Sequence, residues 1–240
     1  MKNKVLGVIG GMGPLATDVF YRNIIEFTDA ECDQDHIDMV ILSHASMPDR
    51  TEAIEKGDLS ELLAEMKKDF RILEDAGATL AVITCNTAHV LYRQISELTK
   101  IPVMHMPLET AKYIREKYGK GAKVGILATD GTIKQGIYHS VIRELGLVPV
   151  DVSEECQKRV MNIIYGCVKK GLPADMSDVE AAVKQLDECS CIVLGCTELS
   201  AVSDEVFADD RFIDPMKIAA RIAIPAAGGK LRDDKNIKDM

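Results

Sequence analysis

Short apolar runs alternate along the chain with longer stretches in which apolar positions return every three or four residues. The runs at 5–9, 39–42, 80–83, 103–104, 124–127, 148–152, 191–194 and 211–213 predict strands. The periodic stretches at 16–28, 58–76, 90–98, 108–118, 133–145, 154–170 and 176–188 predict helices, with a closing helix at 215–224. Strand–helix alternation of this kind predicts an α/β fold of parallel sheets flanked by helices. The strands do not alternate apolar and polar positions, as expected where both faces are covered.

The pattern also repeats. Val5-Leu6-Gly7-Val8-Ile9 opens the first half and Lys123-Val124-Gly125-Ile126-Leu127 the second, each followed by a helix carrying a tyrosine, Tyr21 or Tyr138. Ala81-Val82-Ile83-Thr84-Cys85-Asn86-Thr87 is echoed by Cys191-Ile192-Val193-Leu194-Gly195-Cys196-Thr197 at a similar offset. The expectation is two pseudo-symmetric domains with a site in the cleft between them. One spans 1–110, with 214–240 packing back on it, and the other spans 111–213. The charge-alternating tail at 230–240 is expected to fray.

Composition narrows the partners. Of 240 residues, 29 are Lys or Arg and 38 are Asp or Glu, for a formal net charge of −9. An acidic chain with no basic tract is a poor nucleic-acid binder. No window approaches the ~18 consecutive apolar residues of a membrane span, and the start has no apolar segment ending in a cleavage site. A cytoplasmic location is expected. In that compartment the seven cysteines are thiols, and their spacing offers no paired ligand set for zinc. Most cysteines in such a chain pack as small hydrophobes.

The loop Gly10-Gly11-Met12-Gly13-Pro14, between a strand and a helix, loosely matches a dinucleotide fingerprint. Pro14 stands where a backbone N–H would meet pyrophosphate. The second strand ends in Ser43 and His44, with no acid to hold a ribose. Free N–H groups at such a helix start suit a carboxylate equally well.

Cys85 and Cys196 are the two cysteines that stand apart. Each follows the C-terminal end of a predicted buried strand, where ligands bind in open α/β sheets, and each precedes a predicted helix start, which favours thiolate. Packing is the ordinary fate of a single cysteine in such a place; two in matching positions of a repeat are harder to explain that way.

Cys85-Asn86-Thr87-Ala88-His89, Gly195-Cys196-Thr197-Glu198-Leu199, the Gly10-Gly11-Met12-Gly13-Pro14 start and Met47-Pro48-Asp49-Arg50-Thr51 together resemble the cofactor-independent aspartate/glutamate racemases. The resemblance runs from about residue 4 to about residue 225. It is closer to the aspartate racemase branch: glutamate racemases carry an Asp-Ser-Gly start and a histidine after the second Cys-Thr, where this chain has Gly-Gly-Met-Gly and Glu198. The resemblance implies an isomerase without cofactor or metal, homodimeric, acting on a small acidic amino acid. Cys85 and Cys196 would be the acid and base on opposite faces of the α-carbon. Arg50 and Lys169 would meet the substrate carboxylates, with Lys170 adjoining Lys169 in the match. Thr129 would sit near the α-carboxylate, and Met12, Ala88 and Glu198 would complete the substrate contacts. Asn86, Thr87 and Thr197 have the donors needed to stabilise a carbanion. His89 has two readings, tuning the Cys85 thiol or packing its helix, and His44 stands just before the Pro-Asp-Arg loop.

Other reactions fit the same residues. Related two-cysteine enzymes racemise hydantoins, isomerise maleate or decarboxylate malonates; the Arg50–Lys169 pair argues against a neutral hydantoin but not against a dicarboxylate. A non-catalytic two-lobed binding protein for small acids is the reading from a different class. The matched thiols and the absent leader weigh against it.

Overall fold

The apolar runs form two separate parallel sheets in the computed structural model, which describes residues 4–207 and 209–233. The first half runs β1 (Val5–Gly10), α1 (Pro14–Phe27), β2 (Asp38–Ser43), α2 (Arg50–Lys56), α3 (Ser60–Asp75), β3 (Ala78–Ile83), α4 (Tyr92–Ser96) and α5 (Met106–Tyr118). The second runs β4 (Lys123–Leu127), α6 (Asp130–Gln135), α7 (Ile137–Glu144), β5 (Val148–Val150), α8 (Glu154–Met161), α9 (Met176–Gln185), β6 (Cys191–Leu194), α10 (Thr197–Ala201), α11 (Ser203–Val206), β7 (Phe212–Ile213) and α12 (Pro215–Ala226). The strand orders are β2-β1-β3 and β5-β4-β6-β7, so the internal repeat is also a repeat of topology.

Matching glycines show why. A Cβ on Gly7 in β1 would stand 2.8 Å from Leu73 Cδ1, and one on Gly125 in β4 would stand 2.9 Å from Leu186 Cδ1. Each central strand gives up a side chain so that the leucine of a covering helix can seat on the sheet. β2 departs from the expectation of full burial, because as an edge strand it is only partly covered along its length.

Helix α1 buries Ala16, Phe20, Ile24 and Phe27 on one stripe. Helix α12, which follows the second sheet, turns its small face of Ala219, Ala220 and Ala223 with Met216 and Ile224 into that same cluster. Its Ile218 belongs instead to the core around β4 and α7, so α12 is shared between the two halves. The tail corrects the expectation of fraying over its described part. Asp29 N–H donates to Lys230 O (2.8 Å) and Arg232 N–H to Phe27 O (2.8 Å), holding the chain against the end of α1. Residues 234–240 lie outside the described residues.

Several elements differ from their predicted form, among them the helix predicted at 90–98, which is a 3-10 turn at Thr87–Leu91 followed by the short α4. Residues 103–104 make only an isolated bridge, Val103 to Ala81, held by Ala81 N–H to Pro102 O and Met104 N–H to Ala81 O (2.9 Å each), before α5 begins at Met106. The helix predicted at 133–145 breaks at Gly136, whose φ of 64° ends α6 in the left-handed region. The helix predicted at 154–170 becomes α8, a π-helical segment at Asn162–Cys167 and a short 3-10 turn at Val168–Lys170. Within it Gly166 leaves room for Asn162, whose Oδ1 would lie 2.1 Å from a Cβ there. Arg50, read as part of a polar loop, instead begins α2. Asp49 Oδ1 caps that helix by accepting from Glu52 N–H (3.0 Å), and Gly57 ends it at φ 70°.

Candidate active site

Cys85 and Cys196 occupy equivalent places, each two residues beyond its strand. The residue between extends the ladder by one bond in both cases: Thr84 N–H donates to Ile9 O (3.1 Å) and Gly195 N–H to Leu127 O (2.7 Å). The chain then leaves the sheet. Cys85 leads into the 3-10 turn Thr87–Leu91 and Cys196 is the N-cap residue of α10. Both thiols are 5 % exposed and line one small cavity.

Every predicted site residue except Ala88 lines that cavity: Met12, Arg50, Asn86 and Thr87 from the first half, and Thr129, Lys169, Thr197 and Glu198 from the second. Ala88 does not line it. One residue further along the turn, its methyl points into the apolar cluster with Ile9, Ile83 and Leu91. Asp49, Thr51 and Tyr165 also line the cavity and escaped the sequence reading. Asp49 and Thr51 flank Arg50 in its motif, and Tyr165 stands one helical turn before Lys169, so both signals were present. Between Lys169 and Lys170, it is Lys169 that faces the cavity, its side chain 23 % exposed.

The glycine loop gives the site its backbone. Gly11 has φ +85°, and a Cβ there would stand 2.4 Å from the backbone of His44. Its N–H donates to Thr17 Oγ1 (2.9 Å), which in turn donates to Gly13 O (3.1 Å). The loop is therefore tied down against β2 and α1, and the Gly11 N–H is not available to a pyrophosphate.

The two thiols have different charged neighbours. On the Cys85 side, Arg50 is 8 % exposed. Its Nη1 donates to Pro48 O (2.9 Å) and Met47 O (3.4 Å), and its Nη2 to Met12 O (3.1 Å). Burial opposes the guanidinium charge, but charge attraction and hydrogen bonding from Cys85, with Asp49 beyond, hold its pKa above the ordinary value. On the other side, Cys196 Sγ donates to Glu198 Oε2 (2.9 Å), and Lys169 Nζ lies 2.9 Å from Glu198 Oε1. Burial, then the Glu198 charge, pushes the Cys196 thiol well above the usual range, so Cys196 holds its proton. Lys169 stays charged: burial works against it, but Glu198 outweighs burial. Lys169 Nζ also stands 5.1 Å over the Tyr165 ring.

Hydroxyl and amide donors fill the remainder. Thr87 Oγ1 lies 3.1 Å from both Thr129 Oγ1 and Thr132 Oγ1, joining the two halves across the cavity. Thr129 also caps α6. Asn86 Nδ2 is buried with no partner among the described residues. Only about 10 Å³ admits the centre of a water molecule, roughly the space of one water. A recess of about 300 Å³ adjoins it, sharing Met12, Asp49, Arg50, Lys169 and Glu198.

Neither flanking histidine lines the cavity. His89 is buried against Tyr92 and His105, and burial, then His105, drives its pKa down to about 3, so it is neutral and packs the core. His44 Nδ1 lies 3.0 Å from both carboxylate oxygens of Asp69. Of the other cysteines, Cys156, Cys189 and Cys191 are buried, Cys167 is half-buried and Cys32 is exposed. Burial lifts Cys191 to about 12, where it is inert.

The chain matches the family model described as Asp/Glu/Hydantoin racemase over residues 9–223. It is 25 % identical over 229 residues to the "Broad specificity amino-acid racemase RacX" of Bacillus subtilis (strain 168), covering 92 % of this chain and 96 % of that one. It is 26 % identical over 208 residues to a glutamate racemase of Carboxydothermus hydrogenoformans, covering 74 % of this chain and 75 % of that one. Among solved structures it superposes on the Picrophilus torridus aspartate racemase with a TM-score of 0.83 at 28 % identity, covering 99 % of this chain and 100 % of that one. With both cysteine turns, the glycine loop and the Arg50 motif inside the matched span, the chain belongs to the Asp/Glu/hydantoin racemase family and is an isomerase.

Proposed function

We propose that the protein interconverts L- and D-aspartate, with glutamate as a second substrate, by proton transfer between Cys85 and Cys196. The observation that carries this reading is the pair of thiols at equivalent strand ends of two halves, lining one cavity with a cation beside each. Inverting a carbon requires a base on one face and an acid on the other, and two related half-sites supply that pair. The thiolate removes the α-proton and becomes a thiol; the opposite thiol donates its proton to the other face and becomes a thiolate. Exchange with solvent restores the starting state.

The α-proton is far less acidic than a thiol of pKa about 8.5, and each pKa unit of mismatch costs about 1.4 kcal/mol. Fixed donors around the α-carboxylate would offset that gap, and in this reading Asn86, whose Nδ2 has no partner among the described residues, with the cavity-lining Thr87, Thr129 and Thr197, supplies them. Arg50 and Lys169 favour a dianionic substrate over a neutral one. The same reading takes 1–110 with the segment from 214 as one lobe and 111–213 as the other, in a cytoplasmic homodimer. Among the described residues no helix is long and apolar enough to cross a membrane.

Chiral chromatography after incubation with L-aspartate, beside maleate and an arylmalonate, tests the proposal. D-Aspartate is the expected product. Turnover of maleate or the malonate alone assigns the site to the related chemistry.

Glu198 sets a pH dependence. Its charge raises the Cys196 pKa, so Glu198→Gln removes that repulsion and also leaves Lys169 without its counter-charge. Both changes lower the thiol pKa. In the direction where Cys196 acts as base, the acidic limb of the kcat/KM profile is therefore expected to move to lower pH. An unmoved limb would show that Glu198 does not control the thiol.

A further inference from the structure

The two tyrosines that mark the repeat have diverged. Tyr21 on α1 is 44 % exposed, whereas its counterpart Tyr138 on α7 is 1 % exposed. Nothing in the two-thiol chemistry uses Tyr138, yet it touches both cysteine turns. Its hydroxyl donates to Asn86 Oδ1 at 2.6 Å, a fully buried bond to the residue that follows Cys85. Its ring lies under the residue that precedes Cys196, where a Cβ on Gly195 would stand 3.2 Å from Tyr138 Cε2 and 3.0 Å from Ala128 Cβ.

We infer that Tyr138 is a positioning residue that holds the two cysteine turns in register and aims the Asn86 amide nitrogen into the cavity. The inference rests on the two-thiol reading above for its effect on turnover, but not for its geometry. An Asn side chain has one acceptor and one donor end. With Oδ1 committed to the phenol, Nδ2 is the end left without a partner, and Asn86 lines the cavity. Burial keeps the phenol protonated, its pKa well above the usual tyrosine value, so it is a donor at every working pH. Gly195 leaves room for the ring, since a Cβ there would crowd Tyr138 Cε2 (3.2 Å) together with Ala128 Cβ (3.0 Å) and Leu127 O (3.2 Å). A phenylalanine would fill the same space and leave Asn86 free to rotate.

Tyr138→Phe, Asn86→Ala and the double variant test this. Tyr138→Phe is expected to lower kcat/KM for aspartate by about tenfold to a hundredfold with little change in melting temperature. If Tyr138 acts through Asn86, the double variant is expected to be no slower than Asn86→Ala alone. A second readout needs no substrate. Iodoacetamide, followed by mass spectrometry of each cysteine peptide, is expected to label both Cys85 and Cys196 about fivefold faster in Tyr138→Phe, because freed turns open more often. Gly195→Ala, which presses on the ring from the other side, is expected to speed the same labelling and carries the test should Tyr138→Phe not fold. Single losses that multiply in the double variant, or labelling unchanged in both variants, would overturn the inference. Should the wild-type protein turn over neither aspartate nor glutamate, the substrate reading fails and the labelling comparison still decides the role of Tyr138.

Discussion

Replacing Cys85 or Cys196 with alanine is expected to lower aspartate racemisation by at least about 10³-fold, within the range of a lost general acid or base, while the fold survives. Each thiol is a short side chain at a strand end, so its removal costs little packing. It takes away, however, the only proton donor or acceptor proposed on one face. The variants should differ from each other in a second way. Each retains one thiol, and so each is expected to exchange the α-proton of one enantiomer with solvent and to leave the other untouched. Together they assign a cysteine to each face. Measurable racemisation at the wild-type rate by either variant would end the two-base model.

The second large effect concerns Arg50. Its guanidinium does two things at once: it supplies the cation on the Cys85 side, and its fork clasps Met12, Met47 and Pro48 through their carbonyls. Loss of a buried, hydrogen-bonded charge partner costs about 2–5 kcal/mol, which corresponds to about thirtyfold to a few thousandfold in kcat/KM. Arg50→Gln is expected to fall in the upper part of that range, with KM for aspartate raised. Arg50→Lys keeps the charge but not the planar fork, so it should recover only part of the loss. Steady-state kinetics of the two variants separate the charge from the clasp. Equal activity of Arg50→Lys and the wild type would show that the carbonyl bonds are incidental.

Much of this site was legible in the sequence because it is made twice. Ile83-Thr84-Cys85 and Leu194-Gly195-Cys196 are local patterns, and a strand that ends two residues before a cysteine can be recognised without tertiary information. The matching glycines Gly7 and Gly125 lie inside the same repeat, whereas the leucines that seat on them and the strand order emerge only in the fold. What resisted was of two kinds. Some signals were local but weak: Asp49 as a cap and Gly57 as a stop mark α2, yet the polar run between them reads equally well as a loop. The π-helical segment at Asn162–Cys167 leaves no mark in the apolar spacing and depends on room at Gly166. Other features are tertiary by nature. The meeting of Glu198 with Lys169 and the inward methyl of Ala88 are set by packing within one half, and the bond from Tyr138 to Asn86 by how the two halves meet. The acidic overall charge takes on meaning only there: among the residues lining the cavity, Arg50 and Lys169 are the cations, one beside each thiol.

The central claim is that an acidic amino acid is inverted between two thiols on opposite faces. Incubation of L-aspartate with the wild-type protein in D₂O, followed at early times by chiral separation and mass spectrometry, tests it most directly. The account predicts D-aspartate carrying deuterium at the α-carbon while the remaining L-aspartate is still protiated. Equal deuterium in both enantiomers would point to a single base, and no D-enantiomer from either aspartate or glutamate would contradict the proposed activity.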